Sequence, residues 1–63
     1  MDYKVHIEIN PSIRFGKPCI KGTRISVYDV LAWLVSGMTY EEILTDFPQL
    51  KSDHILACLA YAD

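Results

Sequence analysis

The sequence lacks the covalent and metal links that usually stabilise a very small protein. It has 63 residues and only two cysteines, Cys19 and Cys58, too few for the disulfide framework of small secreted domains. No Cys/His spacing is typical of a structural zinc site. A single core of this size supplies roughly 3 to 5 kcal/mol of net stability. We therefore expect a partner chain to cover part of the apolar surface.

A long apolar run and a basic-then-apolar leader are also missing. The longest apolar run covers only eight residues, 55–62, whereas a membrane-spanning helix needs about 20 residues. We expect a chain that is neither exported nor inserted in a membrane. With free cysteines, this predicts a protein of the reducing cytoplasm that has no membrane partner.

The short length excludes a catalytic domain beside a binding domain, so we expect a single domain, residues 1–63. The side chains with nucleophilic or metal-binding chemistry are scattered: His6, Cys19, His54 and Cys58. His54 and Cys58 are close on a predicted helix but have no third ligand. The glycines at 16 and 22 do not have the spacing of a nucleotide-binding loop. The sequence predicts no enzyme, metal site, cofactor or small-molecule substrate, and small core or interface roles for the cysteines.

Charge is unevenly distributed along the chain. The formal net charge is -2, but residues 1–24 contain five of the six basic residues and residues 25–63 contain six of the eight acidic ones. The two parts therefore face different partners or each other.

Residues 3–9 alternate between apolar and polar, which predicts a half-buried strand with Tyr3, Val5, Ile7 and Ile9 on one face. The other extended segments, at 19–20 and 24–25, are short. We therefore expect the strand to pair with a second copy in a homodimer. Trp33 and Tyr61 complete the candidate dimer or partner interface, although Trp33 is equally well explained as an aromatic at the rim of the core.

Beyond residue 25 the apolar period changes to that of helices. Capping-box pairs Ser26/Asp29 and Thr39/Glu42 predict helices over 27–36 and from 40 to Pro48, and Ser52 is expected to cap a third. The third helix is predicted to turn Ile55, Leu56, Leu59 and Ala60 inward and Asp53, His54, Ala57 and Tyr61 outward. The predicted fold is mainly α: a three-helix, helix-turn-helix bundle, homeodomain-like or winged-helix-like, with an N-terminal β-strand and a short β segment.

Two groups of residues are candidates for DNA binding. The first is a basic cluster on the glycine-containing loop: Arg14, Lys17, Lys21 and Arg24. The second lies at the start of the third helix: Lys51, Ser52 and His54. One alternative is that Arg24 and one lysine pair with acidic helices of the same chain while the other loop cations are solvated. The other is that the third helix presents a solvated face, since it contains Asp53 and lacks arginine, asparagine and glutamine.

Several segments of the chain carry a resemblance: the run Gly-Lys-Pro-Cys-Ile-Lys-Gly-Thr-Arg-Ile at residues 16–25, Asn10-Pro11, residues 27–34, Ser36-Gly37-Met38, residues 41–44, Phe47-Pro48 and Leu50. Together they resemble one family of short bacterial and archaeal proteins. It is the domain-of-unknown-function family numbered four-three-three. Many relatives have a second glycine or a cysteine in place of Arg14-Phe15, and a proline in place of Ser26. Here Arg14 adds a cation to the loop and Phe15 an apolar contact.

The resemblance implies a homeodomain-like or winged-helix-like domain and an antitoxin of a type II toxin-antitoxin pair, similar to VapB proteins. Such a protein binds and neutralises a nuclease-like toxin with a PIN-type fold and binds its operator DNA. The alternative hypothesis is a protein-interaction module without DNA binding, which the acidic pI and the third helix, poor in lysine and arginine, favour.

Overall fold

The computed structural model describes residues 2–63 and contains short 3-10 turns, two strands and three α-helices in those residues. In chain order the elements are a first 3-10 turn Tyr3–Val5, β1 Ile7–Ile9, a second 3-10 turn Arg14–Gly16, β2 Pro18–Ile20, α1 Val27–Val35, α2 Tyr40–Asp46 and α3 Ser52–Ala62. The predicted fold class is confirmed: the chain is mainly helical, with an N-terminal strand and a second short strand.

The N-terminal segment differs from its predicted form. Only Ile7–Ile9 is a strand, because Tyr3–Val5 closes into a 3-10 turn in which Asp2 accepts from the Lys4 N–H at 3.0 Å. The expectation that this strand lacks a partner in its own chain is wrong, since β1 pairs antiparallel with β2. Pro18 lies opposite Ile9.

The hydrogen-bond pattern of this sheet shows which backbone groups face outward. The Lys21 N–H donates to the His6 carbonyl at 2.8 Å. Hydrogen-bonded and non-hydrogen-bonded pairs alternate in an antiparallel ladder, so Ile9 and Pro18 form a non-hydrogen-bonded pair, which suits a proline without an N–H. The backbone groups of Ile7 and Ile9 therefore point to the outer edge of β1.

Both predicted capping boxes start their helices. At α1 the Asp29 N–H donates to Ser26 Oγ and the Ser26 N–H donates to Asp29 Oδ2, each at 3.0 Å. At α2 the corresponding bonds join Thr39 and Glu42. These bonds satisfy N–H groups that the first helical turn leaves free. Gly37, with φ +100°, ends α1 in the left-handed conformation that glycine adopts most easily.

The third helix begins differently from the prediction, because Lys51 and not Ser52 is its N-cap residue. The Lys51 N–H donates to Nδ1 of His54 at 2.9 Å, so the imidazole accepts the hydrogen bond that Asp29 accepts in α1 and Glu42 in α2. This hydrogen bond needs an unprotonated Nδ1.

The predicted inner face of α3 is right at Ile55 but wrong at Leu56 and Leu59, and Ala57, predicted to face outward, is buried. The residues of α3 that are buried in the core are Ile55, Ala57 and Cys58, whereas Leu56 and Leu59 are exposed. The helix packs against both α1 and the first 3-10 turn. Burial between two neighbours selects a face that includes the small Ala57, which allows close approach, rather than the face with the most leucines.

The remaining core joins all the elements. Its fully buried side chains from outside α3 include Ile20, Val27, Val30 and Ile43. Across residues 2–63, no helix combines the length and the apolar character that a bilayer crossing requires.

Candidate interaction surfaces

The candidate DNA-binding residue Arg14 is used within the chain. Its guanidinium lies 3.0 Å from Asp29 Oδ2 and donates to the Arg24 carbonyl at 2.8 Å. Asp29 thus accepts from Arg14 while also closing the capping box of α1. Arg14 ties the loop to both the start of α1 and the turn before it, so it acts as a structural link. The alternative of an ion pair within the chain was expected for Arg24 and a lysine, whereas the loop cation that pairs with a helix acid is Arg14.

The pKa of Asp29 reflects these contacts. Burial raises the pKa of this carboxyl, but the hydrogen bonds from Ser26 and Arg14 and the guanidinium charge together hold it below its ordinary value. Asp29 is therefore ionised wherever the protein is folded near neutral pH, and the link to Arg14 is maintained.

The loop that follows Ile13 has an unusual backbone. Three consecutive residues have positive φ: Arg14 at +51°, Phe15 at +58° and Gly16 at +81°. For a residue with a Cβ this conformation costs roughly 1 to 2 kcal/mol. The Gly16 N–H donates to the Ile13 carbonyl at 3.1 Å and the Lys17 N–H to the Arg14 carbonyl at 3.2 Å, which fixes the turn. We call residues 13–17 the display loop.

Phe15, at the centre of the display loop, is 98% exposed. The expectation that it supplies an apolar contact to the loop is wrong, because a side chain with this exposure packs against nothing in its own chain. The left-handed backbone turns the ring outward. The sequence predicts Phe15 as an apolar contact of the loop and predicts ligand binding by the loop cations alone.

The other three loop cations are exposed but do not form one cluster. Lys17 lies in the display loop, and the Arg24 backbone is hydrogen-bonded to Arg14. Lys21 follows β2 at its other end, beside His6, about 13 Å from Lys17 at the rise of an extended strand. Lys17 is therefore the cation nearest to Phe15 in sequence, and Arg24 is connected to the same loop through its backbone carbonyl.

The candidate residues at the start of α3 differ in their availability. Lys51 and Ser52 are exposed, but His54 is half-buried, its Nδ1 occupied by the Lys51 N–H and its ring 5.1 Å from the His6 ring. Burial first, and then the His6 and Lys51 charges, lower the pKa of His54, against a smaller opposite effect of Asp53. His54 is therefore a structural residue, and it leaves Lys51 as the one cation of this group.

The candidate interface residues divide into packed and exposed ones. Ile7 is in the core, Tyr3 contacts Tyr61 with ring centroids 5.3 Å apart, and Trp33 stacks on Phe47 at 4.3 Å. Burial raises the pKa of Tyr61, as do the nearby Tyr28 and Tyr3. The view of Trp33 as an aromatic at the rim of the core fits this packing. Of the four candidates predicted on the N-terminal strand, Val5 and Ile9 are exposed, each to 61%.

Two further apolar surfaces were not predicted from the sequence. The α1 stripe consists of Tyr28, Ala32 and Val35, which share one face at helical spacing and are exposed, Val35 to 88%. The α3 pair consists of Leu56 and Leu59. The available signal was that α1 contains a single charged residue, Asp29. A surface helix normally has polar residues on its outer face.

The cysteines are core residues, as predicted, and both are buried. Burial raises the pKa of Cys58 to about 11, so its thiol is protonated near neutral pH and is a poor nucleophile or ligand. Within residues 2–63, no three histidine, cysteine or acidic side chains lie together in a metal-binding arrangement.

Acidic side chains of α2 form a separate surface. A shallow depression there is lined by Thr39, Glu41, Glu42, Thr45 and Asp46. Glu41 and Glu42 lie in the first turn of α2, where negative charge interacts favourably with the helix dipole. The uneven charge of the sequence thus becomes an acidic helix and a basic loop on different elements.

Comparison with known proteins gives a consistent result. The family model described as "Protein of unknown function (DUF433)" matches residues 7–62. The chain is 37% identical over 54 residues to "Uncharacterized protein y4eO" of Sinorhizobium fredii (strain NBRC 101917 / NGR234), an alignment that covers 86% of this chain and 24% of that protein. The chain thus spans about a quarter of the length of this curated relative.

The fold is similar to the crystal structure of a DUF433 member protein from Anabaena variabilis ATCC 29413. The TM-score is 0.84 and the sequence identity 31%, with 87% of this chain and 55% of that chain covered. The matched solved structure contains the same fold at an identity well above chance similarity. Because the family model covers most of the sequence, the chain belongs to the DUF433 family.

Proposed function

We propose that this chain is a non-enzymatic binding protein of the antitoxin type, which binds and neutralises a nuclease-like, PIN-type toxin in the reducing cytoplasm. The observation that carries the proposal is the apolar surface left on α1 and α3 after the core is complete. Exposed apolar side chains that share one face of a helix are typical of protein-binding sites. The two free thiols suit a reducing compartment.

The α1 stripe and the α3 pair are well suited to a protein partner. Neither contains a charged side chain, so binding there does not require desolvation of charge. Their helices are fixed by capping and core packing, so little ordering entropy is lost on binding. The α3 pair also occupies the face that a reading helix would turn to base edges, where leucines have no hydrogen bonds to offer.

Binding to operator DNA is the second proposed function, and the loop rather than α3 supports it. Lys17, Lys21 and Arg24 are exposed, whereas α3 offers only Lys51 at its start. Affinity for DNA depends strongly on the number of phosphates neutralised. A second copy would double these contacts, and the outer edge of β1 is the surface we propose for a homodimer.

Co-expression with the product of the adjacent reading frame tests toxin binding. We expect that product to inhibit growth alone, and this chain to restore growth and co-purify with it. Changing the α3 pair by Leu56→Lys with Leu59→Lys should abolish both effects while the fold is retained, because both side chains are exposed.

A matched control is Gln49→Lys, which introduces a lysine at an exposed position between α2 and α3. This variant should still restore growth. If the adjacent product is harmless and forms no complex with the unmodified chain, the antitoxin proposal is wrong.

A further inference from the structure

The display loop holds an aromatic ring in solvent at an energetic cost. Phe15 is 98% exposed and its φ is +58°. Because the ring is exposed to water, it contributes no free energy of burial to the fold. The left-handed backbone is also unfavourable for a residue with a Cβ. Backbone strain of this kind persists where the surrounding structure enforces it, and it is concentrated at functional sites.

The loop is rigid for identifiable reasons. The residue before Phe15, Arg14, is held by Asp29 and by the Arg24 carbonyl. The residue after it, Gly16, donates its N–H to Ile13. A ring displayed on such a loop loses little conformational freedom when it binds a ligand.

The surroundings of the ring are cationic. Lys17 is two residues away and exposed, and the exposed Arg24 is connected to Arg14 by a hydrogen bond. Asp29, the acid on this side of α1, is neutralised by the Arg14 guanidinium at 3.0 Å. The acidic side chains of α2 belong to a different surface. The local ligand is therefore an anion that also has an apolar or aromatic face.

We propose that the display loop binds an unpaired nucleotide: the Phe15 ring stacks on the base, and Lys17 and Arg24 contact the flanking phosphates. Stacking platforms beside cations are the general means by which proteins bind single-stranded nucleic acid. This inference rests on the nucleic-acid part of the proposed function and narrows its ligand from a duplex to a strand with an exposed base. The competing ligand is an acidic protein with an apolar pocket. The two ligands differ in what they require at position 15: a protein pocket accepts any apolar side chain of suitable size, whereas stacking on a base requires a flat π face.

Fluorescence anisotropy with labelled oligothymidylate and oligouridylate of about 20 nucleotides tests the proposal at low salt. The unmodified chain should bind at micromolar concentration, more weakly as salt increases. Phe15→Ala should weaken binding about tenfold, which is the lower part of the range for loss of one stacked base. Phe15→Tyr should retain affinity, and Phe15→Leu should lose it as Phe15→Ala does. The DNA and RNA strands distinguish the two sources of unpaired bases.

The matched control is Val35→Ala, which truncates an exposed apolar side chain on α1 and should leave affinity unchanged. Lys17→Glu with Arg24→Glu should abolish binding. Lys17→Glu alone should weaken it, whereas Lys4→Glu, the same single change of charge on the first 3-10 turn, should not. Failure of the unmodified chain to bind either strand overturns the inference, and so does equal affinity of the phenylalanine, leucine and alanine forms. The variant with both Leu56→Lys and Leu59→Lys should still bind the single strands. A failure of the toxin-binding proposal can therefore be distinguished from a failure of this one. Affinity for duplex operator DNA, measured in parallel, distinguishes a failure of the operator-binding proposal from a failure of single-strand binding.

Discussion

At the residue scale, two neighbouring side chains in one loop have opposite roles. Arg14 is fully engaged with Asp29 and the Arg24 carbonyl, so it stabilises the fold. The Phe15 side chain is almost fully exposed, and its backbone has the unfavourable left-handed conformation. A residue that weakens the folded state without making contacts is a typical candidate for binding, because functional sites often oppose stability.

This opposition gives a prediction for Phe15→Gly. Glycine adopts positive φ freely, so we expect the free energy of unfolding to increase by about 1 kcal/mol. Urea denaturation followed by circular dichroism measures the change. Phe15→Ala, which removes the ring but keeps the Cβ, should leave stability nearly unchanged. If Phe15→Gly is instead destabilising, the ring contributes to the fold in a way that its exposure does not explain.

At the element scale, the start of α3 depends on a titratable cap. The Lys51 N–H donates to Nδ1 of His54, beside the His6 ring. Protonation of Nδ1 removes this acceptor and places a positive charge at the positive end of the helix dipole. The lowered pKa of His54 agrees with both effects, although burial is its largest cause.

We therefore predict that stability decreases in mildly acidic solution. The pKa of His54 is lower in the folded state than in the unfolded chain, so the unfolded chain binds the proton first as pH falls. The contribution is fully present above about pH 6.5, the ordinary value for histidine, and decreases below it. Urea unfolding at about pH 8 and at about pH 5.5 measures the difference.

Two variants control for other groups. His54→Ala should lower stability by about 1 kcal/mol at the higher pH, since the cap is lost, and should reduce the dependence on pH. His6→Ala keeps the cap and should keep much of the dependence, because burial remains. An unchanged pH dependence in His54→Ala contradicts the prediction.

At the scale of the whole molecule, apolar and charged surfaces are separated. The basic loop, the acidic α2 and the apolar outer faces of α1 and α3 lie on different elements. This arrangement allows partners of different chemistry to bind one small fold. The outer edge of β1 adds a backbone surface, since Ile7 and Ile9 turn their N–H and C=O groups away from β2.

The proposed homodimer makes this edge testable. Two copies joined through β1 should have twice the monomer mass by light scattering at tens of micromolar, an ordinary range for a moderate interface. Ile9→Lys should give a monomer with an unchanged fold, because Ile9 is exposed and an edge lysine opposes strand pairing. Gln49→Lys, at an exposed position between α2 and α3, controls for the added charge. A monomer mass for the unmodified chain sinks the dimer proposal.

The local sequence determined the features that depend on neighbouring residues. Ser26/Asp29 and Thr39/Glu42 start their helices, Gly37 ends α1, and the cysteines are buried. Capping and periodicity operate within a few positions, so they are readable without the fold.

Only the tertiary structure decided what depends on distant partners. Arg14 and Asp29 are 15 positions apart, and no local pattern indicates their ion pair. Residues 55–60 are all apolar, so periodicity does not define one face of α3, and packing against α1 and the first 3-10 turn set its rotation. The sequence alone determined that the chain has too few cysteines for a disulfide framework and no Cys/His spacing typical of a structural zinc site. The tertiary structure decided which apolar residues of α1, α3 and the display loop are exposed. The side of each element that packs against the core determines which residues are left on its outer side.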